Sequence, residues 1–214
     1  KKEKVEEFIS KLHPRNSGHD LIRLGPEFDG GYLVPNDLEN IEACFSPGVD
    51  IVSDFERDCS ERGMDIYLAD ASVESPVLDK SQVRFDFEKL FLGSFKYGEF
   101  ITMDDWVASK VSSLSSDLLL QMDIEGFEYE VFLNMSDRLM RRFRIIIVEF
   151  HALDEIWDRH YFNLNNRVFS KILNTHSIVH SHPNNSGRTY NLNGVEIPRL
   201  LEITFLRNDR FLLV

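Results

Sequence analysis

The chain has 214 residues, a formal net charge of −12 at pH 7, 43% hydrophobic and 28% charged residues. That balance belongs to a folded globular protein of one large or two small domains, and the acidic excess disfavours nucleic acid and anionic membrane surfaces as partners. No run reaches the roughly 18 consecutive apolar residues of a membrane helix, so no membrane insertion is expected. Cys44 and Cys59 fit neither a metal spacing nor a disulfide framework, and reduced thiols of a cytoplasmic protein are the simplest expectation.

In chain order, "KKEKVEEFISKLHP" reads as a charged amphipathic helix; it lacks the apolar core and small-residue cleavage site of a secretory signal. In "LIRLGPEFDGGYLVP" (21–35), Asp29, Gly30 and Gly31 sit between apolar residues and predict a hairpin. Strand-like runs follow at 43–48, 65–70, 83–93, 117–123, 144–151, 176–183 and 200–207. Helical patterns at 50–63, 102–111, 129–143 and 163–175 separate most of them. In the first helix Val52, Phe55 and Cys59 share a face and Gly63 ends it. In the second, Thr102 is a candidate N-cap with Asp105 three residues on.

Strands alternating with helices, and strands that are near-continuously apolar, argue for a parallel sheet covered on both faces. The segment "NNSGRTYNLNGVEIP" is too polar for a crossover helix, so the last strand is expected to run antiparallel. With no repeat or linker, residues 1–214 are expected to form a single domain, with 1–35 as a helix and hairpin extension and 40–207 as the sheet core.

Ligands of such sheets bind beyond the carboxyl ends of the strands. The first strand ends in "FSPGVD", where Gly48 is the one glycine and no G-x-G-x-x-G exists. Asp70 ends the second strand, where an acid can accept both hydroxyls of a ribose. Alone, these two read first as an ordinary turn and a solvated acid. Even as a pair that remains the first reading; if they do bind a ligand, a nucleoside without pyrophosphate, such as S-adenosylmethionine, suits them better than a dinucleotide.

The fourth strand runs into "MDIEGFE", delivering Asp123 and Glu125 to the same rim before Gly126. Glu128 and Glu130 fall in the first turn of the next helix and suit its positive end. The fifth strand delivers Glu149 and His151; the sixth delivers His180 and His182, then Asn184 and Asn185. Polar groups at three successive strand ends point to an active-site rim. Asp123 and Glu125 could hold a divalent cation, but no H-x-x-x-H or comparable spacing exists and none is expected.

Together "DGGYLVP", "FSPGVDIVSDFE", "YLADAS", "MDDWV", "LLQMDIEGFEYEVF", "IIIVEFH" and "HPNN…IPRLLEITFLR" resemble the FkbM-type methyltransferases, a branch of the class I S-adenosylmethionine-dependent enzymes. The resemblance covers about residues 20–207 and is sharpest in D-I-E-G-x-E, at Asp123, Ile124, Glu125, Gly126 and Glu128. It implies a doubly wound, Rossmann-like, mostly parallel seven-stranded sheet with the last strand antiparallel. It also implies O-methylation of a hydroxyl on a sugar, glycan or small natural product. By the same resemblance Ser46, Pro47, Gly48 and Val49 form the cofactor loop, Glu56 lies in the helix behind it and Asp70 meets the ribose. Asp123 and Glu125 would face the methionine end or the acceptor. Candidate bases are Asp123, Glu149, His151 and His182, with Glu125 as positioner. The loop "SPGVD" departs from the glycine-richer family turn, which keeps open a non-catalytic ligand-binding protein of this fold; the rim acids and histidines leave a second alternative, a metal-dependent hydrolase using Asp123, Glu149 and the histidines.

Overall fold

The computed structural model of the chain describes residues 1–28, 30–49, 53–185 and 187–212. Helix α1 (Lys2–Ser10) precedes a hairpin of β1 (Leu21–Leu24) and β2 (Tyr32–Pro35). Then come β3 (Ile41–Pro47), α2 (Asp54–Glu61), β4 (Asp65–Ala69), β5 (Phe85–Glu88), β6 (Phe91–Leu92), β7 (Phe100–Ile101) and α3 (Met103–Lys110). The second half holds β8 (Asp117–Met122), α4 (Glu128–Asn134), α5 (Asp137–Met140), β9 (Phe143–Phe150), α6 (Arg159–Leu173) and β10 (His176–Pro183). It closes with β11 (Thr189–Leu192), β12 (Val195–Pro198) and β13 (Leu201–Arg207).

The main sheet has seven strands in the order β10-β13-β9-β8-β3-β4-β5. β13 is antiparallel to both neighbours and the remaining pairs are parallel, as the polar connection before it leads one to expect. Every residue of β9 is buried, and so are Leu118 to Met122 of β8, because both faces of a parallel sheet are covered. Neighbouring residues divide between the two faces with the strand period of two. Phe45, Leu120 and Ile146 join Trp106, Phe132 and Phe169 of the helices on one side. Cys44, Leu119 and Ile145 join Phe55 of α2 and Leu24 and Val34 of the hairpin on the other. The hairpin is thus a cover for the second face, pinned where Thr204 Oγ1 donates to the Leu33 carbonyl at 2.8 Å.

From β3 the chain moves outward to β4 and β5, then returns to β8 on the other side. The strand order therefore reverses between β3 and β8, where a crevice is expected. Three elements differ from the sequence expectation. The run at 83–93 is divided into β5 and β6. The helical pattern at 129–143 breaks because Ser136 caps a new helix, its side chain accepting from Leu139 N at 3.2 Å. The polar segment 184–198 holds a hairpin, β11–β12, whose turn residues Asn193 and Gly194 both have positive φ (56° and 77°), the signature of a tight Asn-Gly turn. Thr102 does cap α3, accepting from Asp105 N at 3.2 Å. Asp29 of the first hairpin and Val52 before α2 lie outside the described residues. Among the described residues no helix is long and apolar enough to cross a membrane.

Candidate active site

The ends of β3 and β8 touch at the reversal point. Gly48 has φ +87°, and a Cβ there would stand 1.6 Å from the Asp123 carbonyl oxygen. Asp123 N donates to the Pro47 carbonyl at 3.3 Å and Gly48 N to the Ala69 carbonyl at 3.1 Å. The glycine is thus demanded first by the contact between strand ends, a reason the sequence alone did not reveal. Asp70 follows β4 and holds the turn from the other side. Its Oδ2 accepts from Val49 N at 2.9 Å and its Oδ1 from Ser72 N at 2.7 Å. Each oxygen keeps capacity for a further donor.

Ser46 and Pro47 belong to the buried strand rather than to an open loop. Ser46 Oγ lies 2.6 Å from Glu56 Oε1 and 2.7 Å from Gln121 Oε1, and Gln121 Nε2 donates to Tyr32 Oη at 3.1 Å. One hydroxyl proton cannot serve two acceptors. A protonated Glu56 or the opposite orientation of the Gln121 amide supplies the second donor, and burial pushes the Glu56 carboxyl up from its ordinary range while the Ser46 hydroxyl pulls it down.

The loop after β8 is built around Glu128, the first residue of α4 and fully buried. Its Oε1 accepts from Ile124 N and Gly126 N, both at 3.1 Å. This tether holds Glu125 at φ +58°, a left-handed conformation costing a side chain roughly 1–2 kcal/mol. The same oxygen stands 3.1 Å from His151 Nδ1. Glu128 therefore does more than complement the helix end, as the sequence suggested. His151 follows β9, and its carbonyl accepts from Tyr129 Oη at 2.9 Å and Tyr161 Oη at 2.8 Å. With backbone and Nδ1 both held, Nε2 points among carboxylates: Glu125 Oε2 at 3.4 Å, Asp123 Oδ1 at 3.7 Å and Glu149 Oε1 at 3.8 Å. Glu149 is itself fixed by Asn184 Nδ2, 2.8 Å from its Oε2.

Burial alone would lower the His151 pKa; Glu128, then Asp123 and Glu149, outweigh it and raise it to about 9. Burial and the Glu149 charge push Asp123 up to about 7 against the pull of His151. Asp123 Oδ1 is buried without a hydrogen-bond partner among the described residues. Donor atoms of Asp123, Glu125 and His151 lie within 4.8 Å of one another, so the three could also hold a cation.

A cavity of about 580 Å³ opens over this rim, lined by Gly48, Val49, Glu56, Asp70, Asp123, Glu125, Glu149 and His151. These sequence candidates are brought together; Ser46, Pro47 and His182 do not line it. Two further spaces adjoin. An apolar slot of about 320 Å³ shares Gly48, Asp70, Asp123 and Glu125 and is walled by Phe91, Phe100 and Phe127. The Phe100 ring lies 5.5 Å from Phe91 and 6.2 Å from Phe127. A side cavity of about 480 Å³ contains His180 and His182 and shares Tyr32 and Asn184 with the central one. The sequence reading missed Glu128 as an anchor of His151, and it missed the aromatic slot.

Fold and rim together define an α/β protein with a mixed seven-stranded sheet and a polar cavity where the strand order reverses. Residues 95–177 match the family model of the methyltransferase FkbM domain, so the resemblance read from the motifs is shown over that stretch. A methyltransferase, in general terms, is what the match supports. The matched stretch carries Asp123, Glu125, Glu128, Glu149 and His151; Gly48, Asp70, His180 and His182 lie outside it. Comparison with curated proteins returned no match.

Proposed function

We propose that the protein transfers the methyl group of S-adenosylmethionine to a hydroxyl of a small-molecule or glycan acceptor, on a Rossmann-like class I methyltransferase fold. The observation that carries this reading is the buried tether Glu128–His151, inside the family-matched stretch, which aims one imidazole nitrogen into the cavity beside Asp123 and Glu149. Asp70, already fixed by two backbone N–H groups, offers its oxygens to the ribose hydroxyls. The slot of Phe91, Phe100 and Phe127 suits the flat face of adenine. Asp123 and Glu149 face the cationic methionine end. A cation there also answers the Asp123 oxygen that lacks a hydrogen bond.

When bound, S-adenosylmethionine supplies a methyl carbon whose sulfur departs as a neutral thioether. His151 Nε2 would take the proton of the acceptor hydroxyl as its oxygen replaces the sulfur on that carbon. Glu128 on Nδ1 fixes the tautomer that leaves Nε2 basic. The positive charge of a sulfonium held here would oppose the imidazolium and lower the His151 pKa from about 9. Glu125, held in its left-handed turn, positions the acceptor.

The test follows labelled methyl from S-adenosylmethionine into a panel of alcohols. The wild-type protein should transfer label, and His151→Gln should lose at least about tenfold of the rate, equivalent to roughly 1.4 kcal/mol of barrier. Full turnover by the variant would remove His151 from the chemistry.

A further inference from the structure

His180 and His182 of β10 line the side cavity and not the central one that holds His151, and the chemistry above does not use them. We propose that the side cavity between the β1–β2 hairpin and the β10–β13 edge is the acceptor subsite, and that it receives a neutral, polyhydroxylated ring. The inference rests on the methyltransferase reading for what the ligand does, but on the cavity's own lining for what it is.

Position comes first. Tyr32 and Asn184 line both cavities, so a molecule seated in the side cavity extends toward the rim where Asn184 holds Glu149. At about 480 Å³ the space falls within the roughly 300–1,000 Å³ of small-molecule sites.

Chemistry comes second. His180 and His182 alternate on one face of β10, with their rings stacked 6.4 Å apart at 15°. Among the described residues neither ring is held by a neighbour's hydrogen bond. A neutral imidazole offers one donor and one acceptor, and Asn185 offers both as well. A hydroxyl also donates and accepts, so an array of hydroxyls matches this lining where a purely anionic or cationic group does not. Burial, then His182 and Arg23, lower the His180 pKa and keep that ring neutral. The charges nearby are mixed in sign: Glu27 and Glu202 line the cavity together with Arg23, whose Nη1 already donates to the carbonyls of Pro26 and Gly31. At the mouth Phe28 is 85% exposed. A large apolar side chain left in water beside a polar cavity supplies the flat face on which the C–H edge of a sugar-like ring can lie.

The test records the imidazole resonances of the 214-residue chain in the presence of S-adenosylhomocysteine while methyl glycosides of the common hexoses are titrated in. At least one glycoside should move the His180 and His182 signals first. The exposed variant His182→Ala should weaken that binding at least about tenfold, the loss of one or two ligand hydrogen bonds, with S-adenosylhomocysteine affinity unchanged. The proposal is overturned if no glycoside moves these rings, if only His151 responds, or if His182→Ala binds as before. Failure of S-adenosylhomocysteine to bind in calorimetry would strike the methyltransferase reading instead, and the ring shifts would still decide the subsite.

Discussion

Glu128→Gln removes one charge from the site while keeping its shape. The amide oxygen can still accept from Ile124 N and Gly126 N, and the amide nitrogen can occupy the place of Oε2, which has no partner among the described residues. What is lost is the carboxylate that stabilises the His151 imidazolium. The rise of His151 from the ordinary 6.5 to about 9 is worth roughly 3 kcal/mol in favour of the charged ring, at 1.36 kcal/mol per pH unit. A raised folded-state pKa contributes stability that is fully present below pH 6.5 and is lost as pH rises through about 9. Wild-type melting should therefore drop between pH 7 and 9. For a chain of this size a loss of that order is roughly 6–12 °C. In Glu128→Gln the His151 titration, followed by its imidazole NMR signals, should fall by at least about one pH unit, and the alkaline drop in melting should shrink with it. With His151 as base the rate should rise with pH as the ring loses its proton, and in the variant that rise should move to lower pH in step. An unchanged titration near 9 in a folded variant would refute the role given to Glu128.

Gly48→Ala should destabilise the protein by more than about 3 kcal/mol, because its Cβ meets backbone oxygen and its φ is left-handed; a thermal melt within a few degrees of wild type would contradict this. Asp123 has a raised folded-state pKa, so the ligand-free protein loses stability as pH climbs from 3.8 through about 7. Asp123→Asn should remove that loss, melting higher than wild type above pH 7, while turnover falls at least about tenfold. Lower melting with full activity in the folded fraction would make Asp123 structural.

Much of the frame was legible because apolar strands buried on both faces have a distinctive run, and β8 and β9 show it plainly. The rim acids were legible for the same reason: charge at the end of such a strand, as at Asp123 and Glu149, has no packing explanation. The break at Ser136 was obscured by an apolar pattern that continues across it, although a serine followed by Asp137 is an N-cap signal. The Asn193-Gly194 turn was present in the sequence but was absorbed into a segment judged by its polarity alone. The link from Glu128 to His151 and the slot of Phe91, Phe100 and Phe127 join residues distant in the chain. Such partners are set by how β8 and β9 pair and where β6 and β7 lie, and no local pattern announces them.

Calorimetric titration of the 214-residue chain with S-adenosylmethionine, repeated on Asp70→Ala, tests the central claim most directly. The cavity's carboxylates and the fixed Asp70 predict saturable binding, weakened in the variant by roughly 1.5–3 kcal/mol, the range for hydrogen bonds to a charged group. No binding by the wild-type protein, or equal binding by both, would contradict the account.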